Sequence, residues 1–164
     1  MIGERDKRLA SILGMKISED SNLDEVFKVT RETLEKYLKY LKQNIEYPCY
    51  LTGSDEQAWV KFYTFIAGNK KQYEALKNTF PSHTDVFSLV KFKEQFIPEM
   101  GIFIHVQRIS DKEEFTLPLH NVKAFERESK NTQLLDDHRV WFMSNRRKSA
   151  RVLIVHAGSE MEEK

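Results

Sequence analysis

Four carboxylate side chains lie close together in the sequence, in a short polar segment between apolar stretches. They are Glu126, Glu128, Asp136 and Asp137. Carboxylates concentrated on loops of a rigid scaffold supply the oxygen ligands that a hard cation such as Ca²⁺ prefers. The segment therefore predicts a calcium site, with these four residues as its candidate metal ligands.

The adjacent pair Asp136-Asp137 is the centre of this hypothesis. Neighbouring carboxylates repel each other unless a cation or a positive side chain offsets their charge. A calcium ion takes about six to eight oxygens, so the two glutamates, backbone carbonyls and water would have to complete its shell. In the alternative interpretation no ion is bound: Asp136 caps a short turn, and Asp137 pairs with Arg139 or Arg146.

Other metal or catalytic chemistry finds little support in the sequence. The five histidines show no close ligand spacing; they are His83, His105, His120, His138 and His156. The single cysteine, Cys49, allows no intramolecular disulfide and no cysteine-based zinc cluster, and we expect a buried thiol there. Nucleophile-elbow, Walker A, dinucleotide-binding and EF-hand patterns do not occur. We therefore expect a protein that is not an enzyme.

A basic run near the end of the chain supports a second functional hypothesis. It consists of Arg146, Arg147, Lys148 and Arg151, next to Trp141 and Phe142. Such a run can contact phosphates, so the alternative function is a nucleic-acid or protein-interaction adaptor. Since Trp141 and Phe142 are predicted to alternate faces on a strand, at least one belongs to the core. A solvated charge run explains the same residues without any partner.

Composition limits the class of protein further. The chain has 164 residues, of which 40% are hydrophobic and 31% charged, with a formal net charge of +1. This balance is typical of a globular domain, and it provides no overall field to attract nucleic acid or an anionic membrane. No apolar run approaches the roughly 20 residues needed to cross a bilayer. With one cysteine and no signal peptide, the sequence indicates a cytoplasmic location and no membrane association.

The elements that must position the carboxylates begin with an N-terminal arm and a long amphipathic helix, together residues 1–46. The helix is predicted from about Leu23 to about Gln43, capped by Ser21 with Asp24 and ended by Pro48. Its apolar stripe includes Leu34, Leu38 and Leu41. We expect this stripe to dock onto the chain's own core or, alternatively, onto a protein partner or a second copy of the chain.

Residues 47–157 are predicted to form a β-rich domain, followed by a disordered tail at 158–164. Short apolar runs separated by turn residues indicate several strands, among them 102–109, 114–119, 139–143 and 151–156. Ser110-Asp111-Lys112 is predicted to be a hairpin turn, Pro118 to lie at a sheet edge, and 70–78 to form a short internal helix. The predicted fold class is α+β, with a small SH3-like β-barrel core that hides its strand edges by closure.

Two stretches carry a resemblance to a known family. They are PSHTDVFSL at 81–89 and FTLPLHNVKAFERESKNTQLLDDHRVWFMSNR at 115–146, with SKNTQLLDDHRVWF-x-x-NR the most specific part. The segment from about residue 50 to 146 resembles the small bacterial calcium-binding protein family first described in cyanobacteria. The resemblance implies Ca²⁺ binding through acidic side chains. It departs from the family pattern at Arg127, where an Asp is expected, and at His138, where a Tyr is expected.

Overall fold

The computed structural model describes residues 2–54, Trp59 and 81–146, and there the chain forms an α+β fold on a five-stranded antiparallel sheet. The predicted helix at 70–78, the strand at 151–156 and the tail lie outside the described residues. The helices are α1 (Glu4–Ile12), α2 (Leu23–Val26), α3 (Arg31–Asn44) and α4 (Lys130–Asn145). The strands are β1 (Tyr50–Gly53), β2 (Val86–Ile97), β3 (Gly101–Arg108), β4 (Glu114–Pro118) and β5 (Val122–Ala124), and a 3-10 turn spans Leu119–Asn121.

The strand order is β4-β3-β2-β1-β5, and the sheet is open. The α+β class is confirmed, whereas the closed SH3-like barrel is not, because β4 and β5 remain at opposite edges of the described sheet. Pro118 lies at the end of the edge strand β4, opposite Phe103, as predicted. A proline is tolerated there because an edge strand has one side on which no backbone N–H is required.

The predicted strand at 139–143 is wrong, since these residues belong to helix α4. The helix starts where the Ser129 hydroxyl accepts a hydrogen bond from the Thr132 backbone N–H at 3.2 Å. From there His138, Trp141 and Phe142 are buried at helical spacing. The apolar run resembles a strand only when it is separated from this cap and from the residues before it.

The predicted single helix from Leu23 to Gln43 is divided into α2 and α3. Asn22, rather than Ser21, caps α2, because its side-chain oxygen accepts the Asp24 N–H at 3.1 Å. Thr30 and Thr33 then cap α3 reciprocally, each hydroxyl accepting the other's backbone N–H. The break also has a tertiary cause, since the Trp141 indole N–H donates to the Phe27 carbonyl at 2.8 Å.

The apolar stripe of α3 packs onto the chain's own core, which confirms the first of the two predicted docking modes. Leu34, Leu38 and Leu41 are buried, together with Phe87 of the sheet and Trp141 of α4. The Tyr37 ring stacks on the Trp141 ring at 4.8 Å between centroids. Helix α4 therefore lies against both α3 and the sheet. The acidic pair on α4 lies beside α1, near the N-terminus of the chain.

The predicted hairpin turn at Ser110-Asp111-Lys112 is confirmed, and the side chain of Arg108 stabilises it. Arg108 is buried and forms ion pairs with Asp111 at 2.7 Å and with Asp85 at 3.1 Å. These carboxylates raise the pKa of Arg108, so the guanidinium stays charged. The contact joins the turn to the start of β2, and the sequence motif PSHTDVFSL contributes Asp85 to it.

Replacing Gly53 by alanine is expected to destabilise the fold by about 3 kcal/mol. A Cβ at this position would lie 2.4 Å from both the Cα and the carbonyl oxygen of His83. Backbone atoms cannot move aside as a side-chain end can, and the Gly53 N–H is hydrogen-bonded to the same carbonyl. Urea unfolding measures the loss. The control is Gly3→Ala, whose Cβ would meet only Asp6 at 3.8 Å and should cost less than about 1 kcal/mol. Equal effects of the two changes would refute the close approach.

Candidate metal centre

One cleft of about 800 Å³ is lined by all four predicted carboxylates. Glu126 and Glu128 lie in the loop between β5 and α4, and Asp136 and Asp137 lie in the second turn of α4. The structure thus brings the predicted set to one surface region. The acidic pair is helical, however, and does not form the turn that the sequence predicted.

The four side chains differ in exposure. Glu126 and Glu128 are exposed, and no described residue forms an ion pair with either of them. Asp136 is half-buried and Asp137 is only 3% exposed. The backbone of the loop is tied down, because the Glu126 carbonyl accepts a hydrogen bond from the Thr132 hydroxyl at 2.7 Å. The glutamate side chains are therefore free to reorient on a held backbone.

Asp137 is neutralised by two arginines of α1. Arg8 binds it with both ends of the guanidinium, through Nε to Oδ2 at 2.8 Å and through Nη2 to Oδ1 at 3.0 Å. Arg5 adds a third bond, from Nε to Oδ1 at 3.1 Å. Bidentate arginine–carboxylate pairs are among the strongest charge-assisted contacts in proteins. This pairing allows a carboxylate to be buried in the core.

Asp136 is neutralised from two directions. Arg5 Nη2 donates to Oδ2 at 2.9 Å, and Arg139 Nη2 donates to Oδ1 at 2.5 Å. Every oxygen of the acidic pair therefore accepts a hydrogen bond from an arginine. The ion-free interpretation, in which Asp136 caps a turn and Asp137 pairs with Arg139 or Arg146, is wrong in its partners, because Arg139 pairs with Asp136. For Asp137 the partners are Arg5 and Arg8, and neither Arg139 nor Arg146 pairs with it.

The electrostatics of Asp137 follow from this geometry. Burial raises the pKa of its carboxyl, but the hydrogen bonds and charges of Arg8 and Arg5 outweigh burial and leave the pKa below its ordinary value. The same contact raises the pKa of Arg8. Both groups are therefore charged at neutral pH, and the stability that they contribute is lost as the pH falls through the depressed pKa of Asp137.

The cleft as a whole contains more positive than negative side chains. Its lining includes five cations, which are Arg5, Arg8, Lys123, Arg127 and Arg139, against the four carboxylates. Within the described ranges, no three His, Cys, Asp or Glu side chains are arranged to hold a metal ion. A calcium ion would therefore have to displace arginine from the acidic pair or use the exposed glutamates first.

Sequence reasoning missed Arg5 and Arg8, which lie about 130 positions away from the acidic pair along the chain. Because Arg5 and Arg8 are three residues apart, both lie on one face of α1. This spacing is the only local signal for them in the sequence. The opposite end of α1 carries its apolar anchors, with Leu9, Ala10 and Leu13 buried. Only the packing of α1 on α4 relates the two sets of charges.

The basic run of the alternative hypothesis is described only at Arg146. This side chain is half-buried, lies 4.9 Å above the Phe142 ring and has Nη1 3.3 Å from His120 Nε2. Burial lowers the pKa of Arg146. Arg147, Lys148 and Arg151 lie outside the described residues. The one described member of the run, Arg146, contacts side chains of its own chain.

Two of the five histidines, His120 and His138, are buried in the core beside Phe142, although surface or half-buried imidazoles were expected. Cys49 is also buried, as expected, and burial raises the pKa of its thiol to about 11. Such a thiol is unreactive at neutral pH. None of the helices in the described part of the chain is long and apolar enough to span a lipid bilayer.

Similarity to known proteins is found in the fold. No protein-family model matches the sequence, and no curated protein sequence is found to be similar. Among solved structures, one described as a calcium-binding protein in the calcium-binding form has a TM-score of 0.49 at 12% identity, covering 85% of this chain and 90% of that one. The crystal structure of Anabaena CcbP has a TM-score of 0.50 at 12% identity, covering 87% of this chain and 94% of that one. The chain is thus similar in fold, over nearly its whole length, to CcbP.

Proposed function

We propose that this chain is a non-enzymatic, cytoplasmic calcium-binding protein whose ion binds in the cleft formed by the β5–α4 loop and α4. The observation that carries the proposal is the convergence of Glu126, Glu128, Asp136 and Asp137 on one cleft. Oxygen ligands of this kind suit Ca²⁺. The likeness in fold to CcbP and the sequence SKNTQLLDDHRVWF-x-x-NR support the same assignment.

The two glutamates are the first ligands available to an incoming ion. They are exposed and unpaired with any described residue, whereas the acidic pair is held by arginines. An ion that approaches the cleft is therefore bound first by Glu126 and Glu128, with water in its remaining positions. Full coordination requires the acidic pair as well, because two carboxylates provide too few oxygens.

Isothermal titration calorimetry is expected to show binding of Ca²⁺, with Mg²⁺ binding more weakly because it gives up its water reluctantly. Replacing Glu126 and Glu128 together by glutamine should lower the Ca²⁺ affinity at least about tenfold, since two ligand charges are lost. The matched control is Glu35→Gln with Glu113→Gln, which removes two exposed carboxylates outside the cleft. The absence of any Ca²⁺ signal at millimolar concentration would refute the proposed function.

A further inference from the structure

Two arginines in the N-terminal half of α1 bind the carboxylates of the acidic pair, which bears on the regulation of calcium binding. We propose that Arg5 and Arg8 form an arginine latch, which docks on Asp136 and Asp137 without calcium and is displaced when calcium binds. The inference rests on the proposed function, because the competing ligand is the ion assigned to the same cleft. Calcium binding and docking of residues 3–8 then exclude each other.

The geometry supports direct competition. The latch donates to three of the four carboxylate oxygens of the pair: both oxygens of Asp137 and Oδ2 of Asp136. A calcium ion binds such oxygens at about 2.3–2.6 Å, which is the space that the guanidinium N–H groups now fill. Two cations at one carboxylate pair also repel each other. The ion and the latch therefore cannot use the pair at the same time.

The two halves of α1 are held by different forces. From Gly3 to Arg8 no side chain is buried, and the hydrogen bonds and ion pairs to α4 are those of Arg5 and Arg8. From Leu9 to Leu13 the helix is anchored in the core, with Leu9 3% and Leu13 0% exposed. Displacing the arginines therefore releases the first two turns, while the apolar half stays docked. The released segment, residues 3–8, carries three basic and two acidic side chains, with a formal charge of +1.

The latch also explains how a buried carboxylate is kept charged when no ion is present. Without the arginines, Asp137 would be a buried and uncompensated charge, which is strongly unfavourable. A cation that fills the site would remove this penalty. Loss of the latch is therefore expected to increase the affinity for Ca²⁺, even though it weakens the fold in the absence of calcium.

The test compares Arg5→Gln with Arg8→Gln against the control Lys7→Gln with Lys16→Gln. Both double variants remove two positive charges from the N-terminal region, but the control residues do not contact the acidic pair. We expect the latch variant to bind Ca²⁺ at least about tenfold more tightly than the wild type by calorimetry. The control should change the affinity less than about threefold, because exposed charges are screened. Arg5→Gln alone, which keeps the Arg8–Asp137 pair, provides a milder variant if the double variant does not fold.

A second measurement follows the helix itself. A spin label at Glu4→Cys, an exposed position of α1, should become more mobile when Ca²⁺ is added, and should be mobile without Ca²⁺ in the latch variant. Calcium binding with equal affinity in all variants and an immobile label would overturn the latch and leave the proposed function standing. The absence of Ca²⁺ binding in both the wild type and the latch variant would overturn both. Binding of Ca²⁺ only in the latch variant would overturn the proposed function of the wild-type chain, and with it a latch that calcium displaces.

Discussion

Lowering the pH from about 7 to about 4 is expected to reduce the free energy of unfolding by about 3 kcal/mol through His138 alone. Its imidazole is 1% exposed, packs between Tyr37 and Phe142, and has no described hydrogen-bond partner at either ring nitrogen. Burial lowers its pKa to about 3, against an ordinary value of 6.5 for histidine. Between these values the unfolded chain binds a proton that the native chain does not, so stability falls as the pH falls.

The titration of His120 acts in the same direction. Burial, followed by the charges of Arg146 and His138, lowers the pKa of His120 well below its ordinary value. The Asp137 carboxyl also loses its stabilising charge at low pH, because its pKa is depressed. We therefore expect stability to fall steeply with acidification. Variants of His138 are needed to separate its contribution to this pH dependence from those of His120 and Asp137.

The measurement is urea unfolding at a series of pH values between about 3.5 and 7. His138→Phe keeps an aromatic ring against Phe142 but cannot titrate, and should reduce the slope by up to about 1.4 kcal/mol per pH unit. His138→Gln keeps a polar group in the core, and should lower stability at every pH while reducing the slope equally. An unchanged slope in both variants would show that His138 does not titrate between the two states.

Replacing Asp137 by asparagine is expected to destabilise the protein by about 2–3 kcal/mol at neutral pH. The change removes the charge that Arg8 and Arg5 share and leaves their N–H groups facing an amide. Breaking a fully buried ion pair costs more, but the two arginine side chains are 38% and 42% exposed and can recover some hydration. Thermal or urea unfolding without calcium measures the loss.

The control for this change is Asp136→Asn. Asp136 is also paired with arginine, but 39% of its side chain is exposed, so water can replace the lost contact. We expect a loss below about 1 kcal/mol. Equal losses in the two variants would mean that burial of Asp137 does not set its contribution to the free energy of unfolding. They would also mean that Asp137 does not anchor α1 on α4.

Several features of the fold could be predicted because their causes are local. The stripe of Leu34, Leu38 and Leu41 at helical spacing predicted a docked helix, and these residues are buried. The turn at Ser110-Asp111 and the edge position of Pro118 follow from backbone chemistry that no distant residue changes. The α+β class follows from the same alternation of helical and strand patterns.

Other features were decided only by tertiary contacts. The residues 139–143 suit a strand by composition, but they continue a helix capped at Ser129 and pack on α3. Without them as a strand, the predicted barrel lacks an element for closure. The helix predicted from Leu23 divides at Phe27 to Thr30, where the distant Trp141 binds a backbone carbonyl.

The sequence by itself determined which residues are acidic and that they lie near one another in the chain. It could not show which charges face them, because Arg5 and Arg8 approach Asp137 across about 130 residues of sequence. Charge pairing at that separation depends on how α1 packs on α4, which the apolar anchors Leu9 and Leu13 set. The acidic pair was therefore evident from residue types, whereas its neutralisation by arginine arose only when the helices packed together.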